Sequence, residues 1–306
     1  MTDVDKQHVT TKSFTESQAN YGEIFDQEGY LQQYYGAMLS KTITGSIKNP
    51  LFEPSREFDD HQKEDIIRCV RFKIRNLKFY IEHILQDMQA PVKVLDIGTG
   101  PFCGNVMYIS AFEKVESIIC SDYVESNRNY LKDLISATTS EQKGRFNWPQ
   151  FMSIVYGDKS TNFVETFREK CRKVSHVDLS CLSEGLSDVE SSGPYNIITS
   201  EWTFSEGTKD LTEYEELLKR CNNMLTVGGA LLVEDVLEET FSTPEFGEID
   251  IKYPSVWISE PWIRDAMVRQ GFVVEQINLF YNNERNSPHF DGLGEIFVWA
   301  TKIKNV

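Results

Sequence analysis

The sequence predicts an α/β fold, a doubly wound and largely parallel sheet, and three observations carry that expectation. Short apolar segments alternate with helical patterns along most of the chain, the arrangement of successive βαβ units. The apolar segment Val92–Asp96 runs directly into the glycine-punctuated turn Gly98–Gly104, where such sheets bind nucleotide-like ligands at the carboxyl ends of their strands. A second acid, Asp122, closes the next apolar segment, a position from which a carboxylate accepts ribose hydroxyls in that architecture.

The elements follow in order. Residues 1–20 are polar, and Tyr21, Phe25, Tyr30, Tyr34 and Tyr35 form a dense aromatic group. Tyr30 and Tyr34 share one face if this stretch is helical. Residues 40–59, with Gly45, Pro50 and Pro54, read as a loop. From Asp60, Ile66, Val70, Ile74, Leu77 and Ile81 recur at spacings of three and four and predict a long amphipathic helix ending before Pro91. Strands are expected at Val92–Asp96, Ser117–Ser121, Ser153–Tyr156, Val174–Leu179, Asn196–Ser200 and Ala230–Asp235, and finally at Phe272–Tyr281 and Glu295–Lys302. Helices are expected at Val106–Phe112, Ser126–Ile135, Phe163–Arg172, Leu211–Leu225 and Pro261–Gln270, the last closed by Gly271. Residues 180–194 read as a polar excursion. The last two strands have no helix between them, which predicts an antiparallel edge.

Composition narrows the function. A length of 306 residues suits one large α/β domain, or one with a cap. The net charge of −16 disfavours nucleic acid and anionic membrane as partners, because an acidic surface repels phosphate. The six cysteines form no Cys-x-x-Cys pair and no zinc spacing, so no metal is expected and they read as reduced thiols. Met1–Glu16 lacks the apolar core of a signal peptide, and no run reaches the ~18 apolar residues of a membrane span. A cytoplasmic protein and a monomer are expected.

The glycine turn is the most informative segment. Its spacing, Gly98-x-Gly100-x-x-x-Gly104, departs from the dinucleotide fingerprint, since Cys103 stands where the third glycine belongs. Asp96, just before the turn, would repel a pyrophosphate but could hold an amino-acid ammonium. S-adenosyl-L-methionine has an amino-acid tail and a sulfonium, and no phosphate. An ordinary βα turn is the structural alternative, as is a helix cap for Asp122.

In this setting the chain resembles the small-molecule N-methyltransferases that include the nicotinamide, phenylethanolamine and indolethylamine enzymes. The resemblance rests on six segments in family order: Tyr30-Leu31-Gln32-Gln33-Tyr34-Tyr35; Asp96-Ile97-Gly98-Thr99-Gly100-Pro101; Ser121-Asp122-Tyr123 with Asn127-Arg128; Phe146-Asn147-Trp148; Leu225-Thr226-Val227-Gly228-Gly229; and Asp291-Gly292-Leu293-Gly294 followed by Phe297-Val298-Trp299-Ala300. It implies the Rossmann-like, doubly wound seven-stranded sheet of class I methyltransferases with an antiparallel edge strand. It also implies an N-terminal segment and lid over 1–59, a helical cap on the methyltransferase domain at 60–306.

The resemblance also implies site roles. Tyr30 and Tyr35 reach the methionine carboxylate or close over the site, Gly98, Thr99 and Gly100 line the methionine portion, and Asp122 binds the ribose. Tyr123 stacks on adenine with Asn127 nearby. The adenine-reading Asp-Val pair of the family is His176-Val177 here; a structural histidine is the alternative. The family tyrosine after the loop is Gly104, and Val227 replaces the usual proline.

Methyl transfer from a sulfonium needs the acceptor lone pair in line with the S–CH₃ bond, so positioning and desolvation should dominate. An aliphatic amine is protonated near pH 7, and nearby carboxylates can hold it and take its proton. By resemblance, Glu238 and Asp291 match the acids of the amine-methylating members, and Asp235 an aspartate of the nicotinamide-methylating ones. Ser200, Glu201 and Trp202 end a central strand and are expected to line the substrate pocket, with Tyr30 reaching it from the lid; Trp202 as core packing is the alternative. The expected function is N-methylation of a small amine using S-adenosyl-L-methionine. Nicotinamide or another N-heterocycle is the alternative acceptor, and a non-catalytic cofactor-binding homologue a second alternative.

Overall fold

The computed structural model describes residues 10–11, 26–40, 60–136, 146–157, 162–242, 251–282 and 291–303. Tyr21, Phe25 and all but the first residue of the expected loop at 40–59 lie outside these.

Seven strands form the main sheet: β1 (Val92–Ile97), β2 (Val115–Asp122), β3 (Cys171–His176), β4 (Tyr195–Glu201), β5 (Leu225–Leu237), β6 (Phe272–Tyr281) and β7 (Gly294–Lys302). Their order is β3-β2-β1-β4-β5-β7-β6. The first five are parallel, and β7 runs antiparallel between β5 and β6. The order reverses between β1 and β4, and such a switch point opens a crevice at the carboxyl ends of the strands. This is the doubly wound sheet with an antiparallel edge expected of the class. A small second sheet joins Thr10–Thr11, Ile251–Pro254 and Phe241–Ser242.

Helices cover both faces. On one side lie α1 (Gln27–Tyr34), α2 (Gly36–Ser40), α3 (Asp60–Asp87), α4 (Gly104–Ser110), α5 (Glu125–Ser136), α6 (Trp148–Tyr156) and α7 (Phe163–Lys170). The apolar stripe of α3 packs there, with Val70, Ile74, Leu77 and Ile81 buried against Val94, Leu232 and Phe297 of the sheet. On the other side lie α8 (Phe204–Gly207), α9 (Leu211–Met224) and α10 (Glu260–Arg269). They bury Leu217, Leu218 and Ile263 against Leu95, Ile198 and Val233. Alternate residues of β5 therefore serve different layers, as a period of two requires.

Two expectations need correction. Ser153–Tyr156 is not a strand but the end of α6. The Ile154-Val155-Tyr156 run looks β-like locally, yet Asn147 caps the helix at Gln150 N, Pro149 sits in its first turn and Gly157 at φ 76° ends it. Its buried face is Trp148, Phe151 and Met152. The strand expected at Val174–Leu179 instead spans Cys171–His176, because the preceding helix stops at Lys170. This edge strand carries Arg172 and Lys173, so an apolar-run criterion misplaces it. The polar excursion at 180–194 holds two single-turn helices, Leu182–Gly185 and Ser187–Glu190.

Lys302, at the end of β7, is 2% exposed. Its Nζ donates to the carbonyls of Asn222 and Leu225 at 2.6 and 2.7 Å, tying the end of α9 to the antiparallel edge. Lys302→Met removes both charge-assisted bonds and should cost about 2–3 kcal/mol. The expected readout is a lower urea midpoint at unchanged slope.

Candidate active site

The first part of the site is the bend after β1. Gly98 and Gly100 adopt φ of 73° and 59°, which favours glycine. A Cβ on Gly98 would lie 2.0 Å from Thr203 Oγ1, so no side chain fits between the bend and the end of β4. Among the described residues, a Cβ on Gly100 would meet only Phe102 N, at 3.9 Å. The amides of Gly98 and Thr99 both donate to Ser121 O at 2.8 Å, which ties the bend to β2. Asp96 is buried below it, accepts from Thr199 Oγ1, and is pushed up to about 6 by burial.

Asp122 ends β2 and is buried. Its Oδ2 accepts from Gly100 N at 2.8 Å, and its Oδ1 from Val124 N at 2.8 Å and Asn127 Nδ2 at 3.2 Å. A carboxylate offers about four acceptor positions, so one remains on Oδ2. Asp122 is thus both a loop-capping residue and an available acceptor. Burial raises its carboxyl above the usual range, and the Gly100 and Val124 amides oppose that. Asn127 is buried, and its Oδ1 accepts from Gln27 Nε2 at 3.1 Å, which links α1 to this corner. The rings of Tyr123 and His176 stand 5.9 Å apart across the ends of β2 and β3. His176 is exposed, whereas Val177 is buried, with its amide on Asp122 O.

The second part lies at the ends of β4, β5 and β7. Tyr30, Tyr34 and Tyr35 form a ring cluster over it. Tyr35 is buried, stacked at 3.8 Å on Phe102, and its hydroxyl points to Glu201 Oε1 at 3.4 Å. Phe102 also fills the space beside Gly104, where a Cβ would lie 2.7 Å from its Cζ. Tyr34 meets Trp202 edge-on at 6.2 Å.

Beneath these rings is a charge cluster. Lys73, from α3, lies 2.6 Å from Glu201 Oε1 and 3.6 Å from Glu234 Oε1. Its Nζ stands 3.0 Å from the centroid of the Trp202 ring, a cation–π contact. Asn105 donates to Glu201 Oε2, and Trp202 Nε1 to Glu295 Oε2, each at 2.5 Å. Trp202 holds φ of 48°, which is unfavourable for a bulky residue. Burial opposes the Lys73 charge, but Glu201 and Glu234 together hold its ammonium well above the ordinary lysine range. Burial pushes Glu234 up strongly and Glu295 to about 7. Ser200 turns away from the cluster, donating to Ile97 O at 2.9 Å.

A further group of acids borders the cluster. Glu238 is half-buried with φ of 53°, at the bend after β5. Glu239 is 3% exposed, and its Oε2 has no hydrogen-bond donor among the described residues. Burial raises Glu239 far above the usual range, with Glu206, Glu295 and Asp291 adding to it. Burial likewise lifts Glu206 to about 7, helped by Asp235 and Glu295. Asp291 is exposed and caps the next turn, accepting from Thr240 N at 2.8 Å and Thr240 Oγ1 at 2.5 Å. Asp235 lies on the opposite face of β5 from Glu234 and is fully buried. It accepts from Ser205 N at 2.9 Å and Tyr214 OH at 3.1 Å, so its carboxylate anchors α8.

Lys73, Asn105, Glu206, Glu234, Glu295 and Gln27 were not picked out by the sequence reading. For Lys73 a signal existed: it lies three residues after Val70 and four before Leu77, on the apolar stripe of α3.

A switch-point sheet, a glycine bend and a strand-end carboxylate beside it make a nucleoside-binding crevice, and the family match gives the class: an S-adenosylmethionine-dependent N-methyltransferase. The chain belongs to the NNMT/PNMT/TEMT family, whose model matches residues 59–303. It is 26% identical over 217 residues to phenylethanolamine N-methyltransferase of Macaca mulatta, spanning 69% of this chain and 73% of that one. With the Homo sapiens enzyme of the same name it shares 24% over 216 residues, again 69% and 73%. Its likeness to the glycopeptide N-methyltransferase MtfA complexed with sinefungin is slight, at TM-score 0.47 and 11% identity over 84% of this chain and 100% of that one.

The acids at the sheet end make stability depend on pH. Glu206 and Glu295 stand at about 7 in the folded chain, against roughly 4.3 for an unperturbed glutamate. Folding therefore takes up protons between these values, so stability is highest at the acid end of that window and falls as pH rises through 7. The thermal midpoint should decline from pH 5 to pH 8, and the Glu206→Gln/Glu295→Gln variant should decline less steeply. An equal slope in the variant would contradict the assignment.

Proposed function

We propose that this chain transfers a methyl group to the nitrogen of a small amine whose ammonium is held by the acids bordering β5 and β7. The observation that carries the reading is Glu239: a carboxyl 3% exposed, with Ser255 as its one hydroxyl neighbour and an Oε2 that accepts no hydrogen bond among the described residues, among further acids at the same end of the sheet. An ammonium supplies that donor, whereas a pyridine nitrogen has no charge to offer. The carboxyls of Glu238 and Asp291 lie on the same segments as Glu239 and its neighbour Gly292, and belong to the proposal as amine-side acids. Asp235 contributes by holding α8.

For the cofactor, Gly98, Thr99 and Gly100 would cradle the amino-acid portion, and Asp122 would accept a ribose hydroxyl on its remaining lone pair. Tyr123 would cover adenine, with Asn127, His176 and Val177 at its edge. Tyr30 and Tyr35, on the lid formed by the N-terminal segment over 1–59, would exclude water from above. Ser200, Glu201 and Trp202 would form the pocket floor, Ser200 through the backbone of β1. When bound, S-adenosyl-L-methionine supplies an electrophilic methyl group on sulfur. The amine loses its proton to a neighbouring carboxylate, which frees the lone pair. Held by these residues, S-adenosyl-L-methionine would supply its methyl group to that lone pair and be left as the neutral thioether. The residues named would hold the two centres in line, and that positioning would supply most of the acceleration.

A small-molecule acceptor, a monomeric state and a cytoplasmic location form part of the same reading. All six cysteines are free thiols, five of them buried, which suits a reducing compartment. Size-exclusion chromatography with light scattering checks the monomer.

Asp122→Ala should weaken binding of S-adenosylhomocysteine at least about tenfold by calorimetry, the loss of a charge-assisted hydrogen bond. Glu239→Gln, Glu238→Gln and Asp291→Asn should lower kcat/KM for amines, by about a hundredfold for the residue that takes the proton, with cofactor affinity little changed. Unchanged amine kinetics in all three variants would remove the amine assignment.

A further inference from the structure

Glu234 is the buried acid for which the chemistry above has no use. It ends the core of β5, in register with Glu201 of β4 and Phe297 of β7, on the face that meets α3. Its side chain is 2% exposed, and neither oxygen accepts a hydrogen bond among the described residues. Lys73 Nζ stands 3.6 Å from Oε1, beyond hydrogen-bond length, and is committed to Glu201 at 2.6 Å and to the Trp202 ring. Glu295, the third carboxyl of the group, takes the indole N–H of Trp202. Three carboxyls thus share one ammonium, and among the described residues Glu234 is paired with it only at 3.6 Å and accepts no hydrogen bond.

A buried carboxyl that accepts no hydrogen bond is destabilising, and a ligand donor placed against it relieves that penalty. Lys73 illustrates what this corner of the fold accommodates: an alkylammonium lying on an indole face against a carboxylate. Its charge balances Glu201, and a second cation here is balanced by Glu234 once that carboxyl gives up its proton.

Resting on the amine reading above, we propose that the acceptor is a dibasic amine. One nitrogen is methylated among the outer acids around Glu239. A second, protonated group at the far end of the same molecule docks on Glu234 beside Lys73. Burial raises the Glu234 carboxyl, so arrival of the cation displaces its proton to solvent.

The test compares matched acceptors by initial rate and product mass: 1,4-diaminobutane against butylamine, and 4-(2-aminoethyl)benzylamine against 2-phenylethylamine, with nicotinamide as a neutral-ring control. In the unaltered protein, kcat/KM for the better diamine should exceed that of its monoamine by about ten- to a hundredfold, the value of a charged hydrogen bond. In Glu234→Gln this ratio should fall to within about threefold of one. Should that variant not fold, Glu234→Asp, one methylene shorter, should shift the preference toward a longer diamine. A ratio near one in the unaltered protein overturns the dibasic assignment and leaves the amine reading standing. A preference that survives both substitutions overturns Glu234 as the docking group. Turnover of nicotinamide alone, or of none of the five, overturns the amine reading and the dibasic one with it.

Discussion

The contact between Lys73 and Glu201 organises the acceptor half of this molecule. A lysine and a carboxylate taken out of water cost more than their attraction returns unless further hydrogen bonds complete them. Here Asn105 of α4 and Tyr35 between α1 and α2 do so for the carboxylate, and the ring of Trp202 after β4 faces the ammonium. The pair therefore fixes four elements relative to one another: the long helix, the helix after the glycine bend, the aromatic cover and the end of a central strand. Removing either charge would strand the other in a buried setting.

The same contact couples the two halves of the site. Asn105 sits one residue into the helix that opens from the glycine bend, and Tyr35 stacks on Phe102 of that bend. Gln27, on the same N-terminal helix that leads to Tyr35, bonds to Asn127, which in turn bonds Asp122. The aromatic cover is thus tied at one end to the nucleoside side of the crevice and at the other to the acceptor side. A ligand entering either half meets groups that also bear on the other half, a physical route for communication between cofactor and acceptor.

The acids divide by what already surrounds them. Asp235 has its oxygens occupied by backbone and hydroxyl donors and shapes the local chain, while Asp291 caps the turn at Thr240 and keeps one acceptor position on Oδ2. Glu234 and Glu239 keep oxygens that accept no hydrogen bond among the described residues. Buried carboxyls of the second kind are held protonated or await a cation, which makes them the groups that respond to pH and to a basic ligand.

Much of the fold was legible in the sequence, because it rests on local regularities. The apolar stripe of α3, the strand-to-glycine transition at Val92–Gly100 and the acid closing Ser117–Asp122 each follow from periodicity or from backbone geometry that only glycine tolerates. Where the local signal was weak it misled: Ile154-Val155-Tyr156 is β-like as a run, but its caps and the burial of Trp148 and Phe151 make it helical. The residues flanking the cofactor loop were legible for the same reason, being neighbours in sequence. The charge cluster was not. Lys73, Glu201, Glu234 and Glu295 are spread over more than two hundred residues and meet only because β4, β5 and β7 lie side by side under α3. Sequence by itself determined the sheet, the glycine bend and the family; the tertiary structure alone decided which acids are anchored, which are orphaned and which one holds the lysine. Burial and pairing are properties of the surroundings, and no residue carries its surroundings in its own place along the chain.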